Sequence, residues 1–259
     1  PHTVSMEFVP QLLVQDKYII DLSADYRLKD PRIYKEFYKI QHKDEENLKK
    51  AVYGLPEFYR YKIKNKKLIA NPGCYPTVSI LAVAPLLALE IVEPQNIIID
   101  AKSGVSGAGK KLVEELLFCE VDEDFRAYKP NLHQHIPEIK QELNRLSGQK
   151  INLTFVPHIL PLKRGIFITV YANKKEKKKK DLLNLYKRFY KKEPFIRIRD
   201  DLPSLKDVVG TNYCDITLIE EREKIILIAV IDNLLKGAAG QAVQNMNIIF
   251  GYQETLGLL

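Results

Sequence analysis

The sequence predicts an α/β protein in which short buried strands alternate with helices and a set of longer strands follows. Two runs of β-branched and other apolar residues, 17–22 (KYIIDL) and 96–101 (NIIIDA), are typical of buried strands, and the second has the apolar centre of a parallel or central strand. After residue 150 the pattern changes, because 151–161 and 224–233 are longer strand-like runs that lie far apart in the chain. We therefore expect an open, mixed or antiparallel sheet in this later part.

The other elements of the first half have local causes. Pro31 can open a short helix, PRIYKEFY, because proline is favoured in the first turn. Residues 67–71 (KLIAN) predict a further strand, which ends in the turn Pro72-Gly73. Residues 77–91 are apolar nearly all round, which predicts a buried helix with Pro85 as a point of disturbance.

Helices separate the later strands. We expect a helix over 110–121 (KKLVEELLFCEV) and an amphipathic helix over 136–147. Residues 165–173 (GIFITVYAN) predict a strand, and a helix over 181–192 follows. The segment 237–251 is rich in Gly and Ala, which indicates a helix that packs closely against a neighbour.

Composition restricts the classes of protein. The 259 residues are 46% hydrophobic and 28% charged, which excludes a disordered or collagen-like chain. No apolar run approaches the ~20 residues of a membrane helix and no secretory signal is visible, so we expect no membrane partner. Three scattered cysteines favour a cytoplasmic setting. The net charge of +7 comes largely from lysine runs such as 174–180, which indicate a solvated surface, and we expect no nucleic-acid partner.

Cys74 has the sequence context of a nucleophile. In 71–77 (NPGCYPT) a strand ends, the chain turns sharply, and the cysteine arrives at the start of a helix. Unpaired backbone N–H groups and the helix dipole at such a place lower the pKa of a thiol and can donate to an oxyanion. A buried structural cysteine is the open alternative, and Cys119 and Cys214 are expected to be structural.

His133 and His135 are candidate proton acceptors. A thiol nucleophile needs a base, and imidazole is the usual one. At this spacing the two rings would share one face of a strand, and Glu138 could orient one of them, although a structural role for either stays open. The spacing could also bind a metal, but no third ligand lies nearby, so we expect no metal. His158, between apolar residues, is expected to be structural.

The Gly-rich turn 103–109 (SGVSGAG) admits several interpretations. With Lys110 it fits most of the P-loop pattern, but Lys111 stands where a Ser or Thr is needed to bind Mg²⁺, so a P-loop NTPase is the weaker alternative. The turn could instead present backbone N–H groups to a phosphate or a nicotinamide. A simple tight turn also stays open.

Two arginines could bind an anionic group. Arg27 follows the first strand and Arg164 precedes a later one. The guanidinium fork of either could bind a phosphate or a carboxylate through two hydrogen bonds. Taken alone, each is more often part of a surface ion pair.

Seven segments carry a resemblance that runs from residue 1 to the C-terminus. They are DLSADYRL, VYGLPE, IANPGCYPT, AKSGVSGAGK, HQHIPEI, VPHILPLKRGI and DNLLKGAAGQAVQNMN. In this order they resemble the N-acetyl-γ-glutamyl-phosphate reductase family, which are arginine-biosynthesis enzymes of the aspartate-semialdehyde dehydrogenase superfamily. Val78 is a small departure, because the family usually has Gly or Ala there.

The resemblance implies an activity and the residues that carry it. The activity is NADPH-dependent reduction of a small-molecule acyl phosphate, N-acetyl-γ-glutamyl phosphate, through a thioester on Cys74. His135 would be the acid or base, with His133 as the second candidate. The residues implied for substrate binding are Arg27, which would hold the phosphoryl group, Asn71, and Arg164, which would hold the carboxylate. Those implied to face NADP(H) are Ser103, Gly104, Gly107, Ala108, Gly109 and Asn233.

The resemblance also implies a two-part fold. Residues 1–74 and 235–259 would form a partial Rossmann-like nucleotide-binding domain, and 75–234 an α+β mixed-sheet catalytic and dimerisation domain. The family begins with a Gly-rich strand–turn–helix that holds the NADP pyrophosphate, whereas this chain opens beyond it. We therefore expect that these 259 residues alone do not bind NADP(H) with normal affinity. Association through the mixed sheet predicts a homo-oligomer, a dimer or a tetramer.

Three alternatives remain at the level of the sequence. The first is a related acyl-phosphate reductase of lysine biosynthesis, which acts on an aminoadipyl substrate. The second is the P-loop NTPase. The third is an inactive or nucleic-acid-binding fragment.

Overall fold

The computed structural model describes residues 3–109, 112–176 and 180–259, and these form two compact units. The first unit comprises Pro1–Gly73 and Gly237–Leu259, and the second comprises Cys74–Lys236. Both mix helices and strands, so the predicted α/β class is confirmed.

The helices and strands are as follows, in chain order. The α-helices are α1 (Ser5–Val14), α2 (Pro31–Tyr38), α3 (Glu45–Lys50), α4 (Pro56–Ile63), α5 (Cys74–Ala88), α6 (Phe118–Val121), α7 (Ile136–Ser147), α8 (Leu182–Phe189) and α9 (Gly240–Phe250). The strands are β1 (Ile19–Asp21), β2 (Val52–Tyr53), β3 (Leu68–Ala70), β4 (Ile97–Gly104), β5 (Arg126–Ala127), β6 (Leu153–Leu160), β7 (Ile166–Asn173), β8 (Ile196–Ile198), β9 (Cys214–Glu220) and β10 (Lys224–Ile231). A π-helical turn, Leu235–Ala239, leads into α9.

The first unit is built on a short parallel sheet in the order β1-β3-β2. A buried carboxylate organises the loop after β1. Asp25 is fully buried and accepts hydrogen bonds from the backbone N–H groups of Thr3, at 2.9 Å, and Met6, at 3.3 Å, and from the hydroxyl of Tyr34, at 2.8 Å. This one side chain therefore joins the start of α1, the loop and α2.

Helix α9 completes the first unit. The amide nitrogen of Asn245 donates to the carbonyl of Gly54 at 2.8 Å and to Oδ1 of Asn71 at 3.0 Å. A Cβ on Gly54 would lie 2.5 Å from that nitrogen, so the backbone here needs glycine to approach the helix. The predicted close packing of the C-terminal helix is confirmed, and its cause is this approach.

The second unit is built on a seven-stranded mixed sheet in the order β5-β6-β4-β7-β10-β9-β8. The pairs β4–β6 and β8–β9 are parallel and the other pairs are antiparallel, which confirms the predicted mixed sheet. Helix α5 is buried along nearly its whole length and contacts α7, β7 and β10. It continues through Pro85 without a break.

The predicted helix over 110–121 is wrong for the part of it that the structure describes. Residues 112–121 contain only a 3₁₀ turn, Glu114–Leu116, and the four-residue α6, while Lys110 and Lys111 lie outside the described residues. Leu112 and Phe118 are 90% and 82% exposed. The apolar stripe has no core surface within its own unit to pack against, and an isolated short helix is not stable by propensity alone.

The sequence contains no apolar run long enough to predict a membrane helix. Across the three described stretches, no helix has both the length and the apolar character needed to cross a bilayer.

Candidate active site

One end of the seven-stranded sheet collects the reactive segments of the second unit. Ser103, near the end of β4, pairs with Ile159 of β6 and Ile166 of β7, and Ile166 pairs with Ile231 at the end of β10. The loops attached to these strand ends therefore lie side by side. They are the Gly-rich loop 103–109, the turn 161–165 and the turn that begins at 232.

Cys74 is the first residue of α5, as the sequence predicts. It is half-buried, whereas the residues that follow it in the first turn are buried. The helix dipole and the N–H groups of this turn favour the thiolate over the thiol. Cys214 is buried, as expected of a structural cysteine, but Cys119 is exposed on α6 because the helix predicted to shield it does not form.

Tyr75 connects the cysteine to the two imidazoles. Its ring lies edge-on to both, with centroid distances of 5.5 Å to His133 and 6.2 Å to His135. Its hydroxyl accepts a hydrogen bond from the hydroxyl of Tyr128 at 3.3 Å and donates to the carbonyl of His158 at 3.5 Å.

Both phenols stay protonated at neutral pH. Burial raises the pKa of Tyr75 well above its usual value, and the charge of Cys74 adds to this. Burial also raises the pKa of Tyr128 to about 12, again with a contribution from Cys74. Two hydroxyl donors therefore lie within the electrostatic reach of the cysteine.

The two histidines are close but have different environments. Their ring centroids are 4.8 Å apart, and Nδ1 of His133 accepts the backbone N–H of His135 at 3.1 Å. His133 is 8% exposed, and burial, aided by the charge of Lys129, lowers its pKa to about 4. It is therefore neutral at physiological pH with its proton on Nε2.

His135 is half-buried and occupies the N-cap position of α7. The expectation that the two rings share a strand face is wrong, because they lie in the turn before α7. Glu138 is buried in the first turn of α7, and an orienting role for it stays a prediction.

The Gly-rich loop does not have P-loop geometry. The N–H groups of Gly104, Val105 and Ser106 donate to the carbonyls of Gly165, Leu162 and Lys163, and that of Gly109 donates to Ser106. These amides are already used, so they cannot surround a phosphate, and no regular helix follows the loop in the described residues. The P-loop alternative is therefore wrong for this geometry.

Gly104 has a packing role. A Cβ there would lie 2.7 Å from the carbonyl oxygen of Leu162 and 2.8 Å from the backbone nitrogen of Arg164. Gly104 is buried and shapes the loop, and its predicted contact with a cofactor stays a prediction. By contrast, Gly107, Ala108 and Gly109 are exposed, and their contact with a cofactor stays a prediction.

Arg164 and Asn233 are held in the turns beside this loop. Nη2 of Arg164 lies 2.9 Å from Oδ2 of the fully buried Asp232, while 35% of the arginine side chain remains accessible. Asn233 donates from Nδ2 to Oγ of Ser106 at 3.0 Å and accepts the N–H of Gly165 at 2.7 Å. It thus joins two turns, and its predicted contact with the nicotinamide is not tested by these bonds.

Arg27 and Asn71, the other two predicted substrate residues, belong to the first unit. Arg27 is 5% exposed and donates from Nε to the carbonyl of Asn71 and from Nη2 to that of Leu22, each at 2.7 Å. Asn71 is buried, and its amide nitrogen donates to the carbonyl of Ala238 at 3.1 Å. Phosphate binding by Arg27 stays a prediction, and one that this burial does not favour.

A groove lies beside the Gly-rich loop and has a volume of about 370 Å³. Its lining is mostly aliphatic or glycine and consists of Val105, Ser106, Ala108, Gly109, Leu112, Val113, Leu116, Leu117 and Lys163. A flat, largely apolar ring such as nicotinamide fits a lining of this kind.

The sequence did not indicate Tyr75 and Tyr128 as site residues. It also did not indicate that Asp232 pairs with Arg164. Tyr75 follows the candidate nucleophile directly, and Tyr128 precedes His133 by five residues. These positions are the available signals, but neither tells which way a phenol points.

Comparisons with known proteins define the class. Residues 74–233 match the model of the semialdehyde dehydrogenase dimerisation domain, and residues 1–66 match that of the NAD-binding domain. Aspartate semialdehyde dehydrogenase II from Vibrio cholerae has the same fold, with a TM-score of 0.69 at 17% identity over 95% of this chain and 76% of that one. The chain is thus of the semialdehyde dehydrogenase class, and the predicted Rossmann-like domain with a mixed-sheet domain is confirmed.

The particular family follows from more similar relatives. The N-acetyl-gamma-glutamyl-phosphate reductase of Geobacter metallireducens is 50% identical over all of this chain and 76% of its own length. That of Clostridium novyi is 51% identical with the same coverage. The chain belongs to the N-acetyl-γ-glutamyl-phosphate reductase family, which confirms the resemblance found in the sequence.

Proposed function

We propose that this chain reduces N-acetyl-γ-glutamyl phosphate to N-acetylglutamate semialdehyde, with release of phosphate, as a step of arginine biosynthesis. The observation that carries the proposal is Cys74 at the N-terminus of α5, with Tyr75 in contact with both imidazoles. The family membership supplies the substrate class. A cytoplasmic location belongs to the same proposal.

Cys74 is the nucleophile of the first step. Its Sγ attacks the acyl carbon, the bond from that carbon to the phosphate oxygen breaks, and phosphate leaves, so that a thioester forms. The first-turn N–H groups of α5 offer stabilisation for the oxyanion of this step. The raised pKa values of Tyr75 and Tyr128 keep both phenols neutral, so that neither adds negative charge beside the thiolate.

His135 is the proposed acid or base at the oxygen of the former carbonyl. His133 is buried and neutral, with Nδ1 already engaged, whereas His135 is half-buried. Proton transfer during turnover requires a ring that can change charge, and the low pKa of His133 disfavours it for that task. His133 is then a support for the turn that carries His135.

NADPH is the proposed hydride donor, and the groove beside the Gly-rich loop fits its nicotinamide. When bound, it supplies the hydride that reduces the thioester carbon to the aldehyde level. Gly107, Ala108 and Gly109 would hold the ring from one side, with Ser103 and Asn233 holding the loop in shape. The match of residues 1–66 to an NAD-binding domain supports this assignment.

Arg164 is the proposed partner of the substrate carboxylate. Its turn is bonded to residues 104–106, and the side chain of Ser103 is close enough to Tyr75 to act on the pKa of its phenol. These contacts support a position of the arginine near the residue that follows Cys74. An accessible guanidinium at this place suits a substrate that carries a carboxylate beside its acyl phosphate.

A homo-oligomer, either a dimer or a tetramer, is part of the proposal. Ile98, Tyr171, Ile226 and Ile219 are register partners on four adjacent strands and form one apolar row. Ile98, Tyr171 and Ile219 are exposed. An apolar row across a sheet is typical of an interface, and the match to a dimerisation domain supports a second copy as the partner.

The decisive experiment measures the first step without NADPH. Mixing the protein with N-acetyl-γ-glutamyl phosphate should release a rapid burst of about one phosphate per thioester formed. Cys74→Ser should abolish the burst, whereas Cys119→Ser, at an exposed cysteine, should retain it. An undiminished burst from Cys74→Ser, or none from the unaltered protein, would refute the proposal. A faster burst with the aminoadipyl acyl phosphate would reassign the substrate to lysine biosynthesis.

A further inference from the structure

We propose that Asp232 is a positioning residue that holds the guanidinium of Arg164 toward the substrate carboxylate. This inference rests on the function proposed above and extends it to a residue that does not itself touch substrate. Asp232 is fully buried, its Oδ1 accepts a hydrogen bond from Nη2 of Arg164 at 3.1 Å, and its Oδ2 lies 2.9 Å from the same nitrogen as an ion pair.

The carboxylate of Asp232 is the fixed partner of the pair. Its Oδ1 accepts the backbone N–H groups of Leu234, at 2.8 Å, and Leu235, at 3.1 Å, and its Oδ2 accepts that of Gly210 at 2.8 Å. Three backbone donors thus hold the carboxylate in one orientation. Arg164 has a long, flexible side chain, so the position of its guanidinium depends on the carboxylate of Asp232.

The arginine is only partly satisfied. Its Nε is buried and has no hydrogen-bond partner among the described residues, while part of the side chain stays accessible. A buried donor without a partner costs free energy, so such a group calls for an explanation. A bound substrate carboxylate would supply the missing acceptor, and the contacts of Asp232 with Nη2 hold the guanidinium in place for it.

The pair lies in turns that are linked, through the Gly-rich loop, to the residue that follows the candidate nucleophile. The backbone of 162–165 accepts three N–H groups from 104–106, and this loop continues from Ser103, whose side chain is close enough to Tyr75 to act on the pKa of its phenol. Tyr75 is the neighbour of Cys74 in the chain. An error in the direction of the guanidinium would therefore weaken its contact with the substrate carboxylate and so weaken binding of the acyl phosphate.

The test compares Asp232→Asn with a matched variant, Asp215→Asn. Asp215 is also fully buried and pairs with an arginine, Arg197 at 2.6 Å, in the same unit. The readout is the acyl-phosphate concentration that gives half the maximal phosphate-burst rate. We expect Asp232→Asn to raise it about tenfold or more with little change in the maximal rate, because the lost contact acts on binding. Asp215→Asn should lower thermal stability but leave this concentration unchanged.

A double-mutant cycle separates positioning from a general structural effect. In an Arg164→Ala background, Asp232→Asn should not raise the half-maximal acyl-phosphate concentration further, because its effect acts through the arginine. The inference is overturned if Asp232→Asn raises this concentration equally in the Arg164→Ala background, or if it does not raise it in the otherwise unaltered protein.

A second readout keeps this inference separable from the proposed function. N-acetyl-L-glutamate should protect Cys74 from alkylation by iodoacetamide, and Asp232→Asn should raise the protecting concentration about tenfold or more if the carboxylate contact is lost. This measurement requires no turnover. The unaltered protein could give no phosphate burst while N-acetyl-L-glutamate still protects Cys74 and Asp232→Asn weakens that protection. In that case the proposed function fails and the positioning role stands. If protection is absent or independent of Asp232, the positioning role fails.

Discussion

The backbone N–H of His135 donates to Nδ1 of His133 at 3.1 Å, so the two histidines are tied to each other directly. The bond fixes the orientation of the His133 ring within a cluster formed by Tyr75, Tyr128 and Phe155. It is consistent with the proposed division of tasks, in which the buried and fixed ring of His133 supports the turn and the half-buried ring of His135 exchanges a proton.

The first prediction concerns this division of tasks. His135→Gln should reduce the rate of NADPH oxidation, at saturating NADPH and acyl phosphate, by about 10²- to 10⁴-fold, the usual contribution of a general acid or base. His133→Asn should have a much smaller effect, since its Oδ1 can accept the same N–H. The absorbance change of NADPH measures both rates, and the reverse order of effects would assign the proton to His133.

The second prediction concerns stability and pH. The folded pKa of His133, about 4, lies below its unfolded value, so the unfolded chain binds the extra proton between roughly pH 6.5 and 4. The free energy of unfolding should therefore fall as pH decreases through this range, by up to about 3 kcal/mol. Urea denaturation at pH 7, 5.5 and 4.5 measures the slope. His133→Asn should flatten it; an unchanged slope in that variant would locate the effect elsewhere.

The third prediction compares two glycines of one loop. In Gly104→Ala the new Cβ would meet backbone atoms of 162–164 at 2.7–2.9 Å, so the turn that carries Arg164 must shift. In Gly107→Ala the one close neighbour would be Oγ of Ser103 at 2.8 Å, the end of a short side chain that can rotate, and the next atoms lie at 3.9 Å and 4.0 Å. We expect the first variant to lose about 1–3 kcal/mol of stability and most of its phosphate burst, and the second to stay folded with its burst. Equal thermal shifts in the two variants would contradict this.

The fourth prediction concerns the buried carboxylate of the first unit. Asp25→Ala leaves three donors from Thr3, Met6 and Tyr34 without their acceptor, which should cost about 2–4 kcal/mol of unfolding free energy. Asp30→Ala removes the side-chain cap of α2, which should cost about 1 kcal/mol. Chemical denaturation measures both, and a loss at Asp25 no larger than that at Asp30 would show that the network contributes little.

The fifth prediction concerns assembly. Tyr171→Glu places a charge in the apolar row of the sheet, where desolvation in an interface would be costly, so the oligomer should dissociate. Tyr61→Glu, at a tyrosine that is 94% exposed, should leave the oligomer intact. Light scattering after size exclusion gives the mass of each; an unaltered oligomer in Tyr171→Glu would exclude this face from the interface.

Local signals predicted several helices well. Helix α2 begins at Pro31, behind the capping side chain of Asp30, and α7 ends before Gly148, whose φ of 69° only glycine adopts readily. Such boundaries depend on neighbours in the chain, so the sequence shows them.

Other features depend on distant partners. Strands β2, β5 and β8 have two or three residues each and exist because β3, β6 and β9 offer them hydrogen bonds. Over 112–118 most of the apolar side chains are exposed, so the packed helix that the periodic pattern predicts does not form there. At the site, the sequence indicated Cys74 and the histidine pair as candidates from their residue types. It did not predict the hydrogen bond between the two histidines or the contact of Asp232 with Arg164, because side-chain positions fix both.

The place of α9 has a consequence for biosynthesis of the protein on the ribosome. The helix supplies Asn245 and Gln241 to the carbonyl of Gly54, and Glu254 pairs with Arg60 at 2.8 Å. Gly54 and Arg60 thus leave the exit tunnel well before Gln241, Asn245 and Glu254, with which they make these contacts. During translation at about 5–20 residues per second, the segment that contains them waits roughly ten seconds or more for α9. In that interval its edges are open to chaperones, while the middle of the chain can already fold.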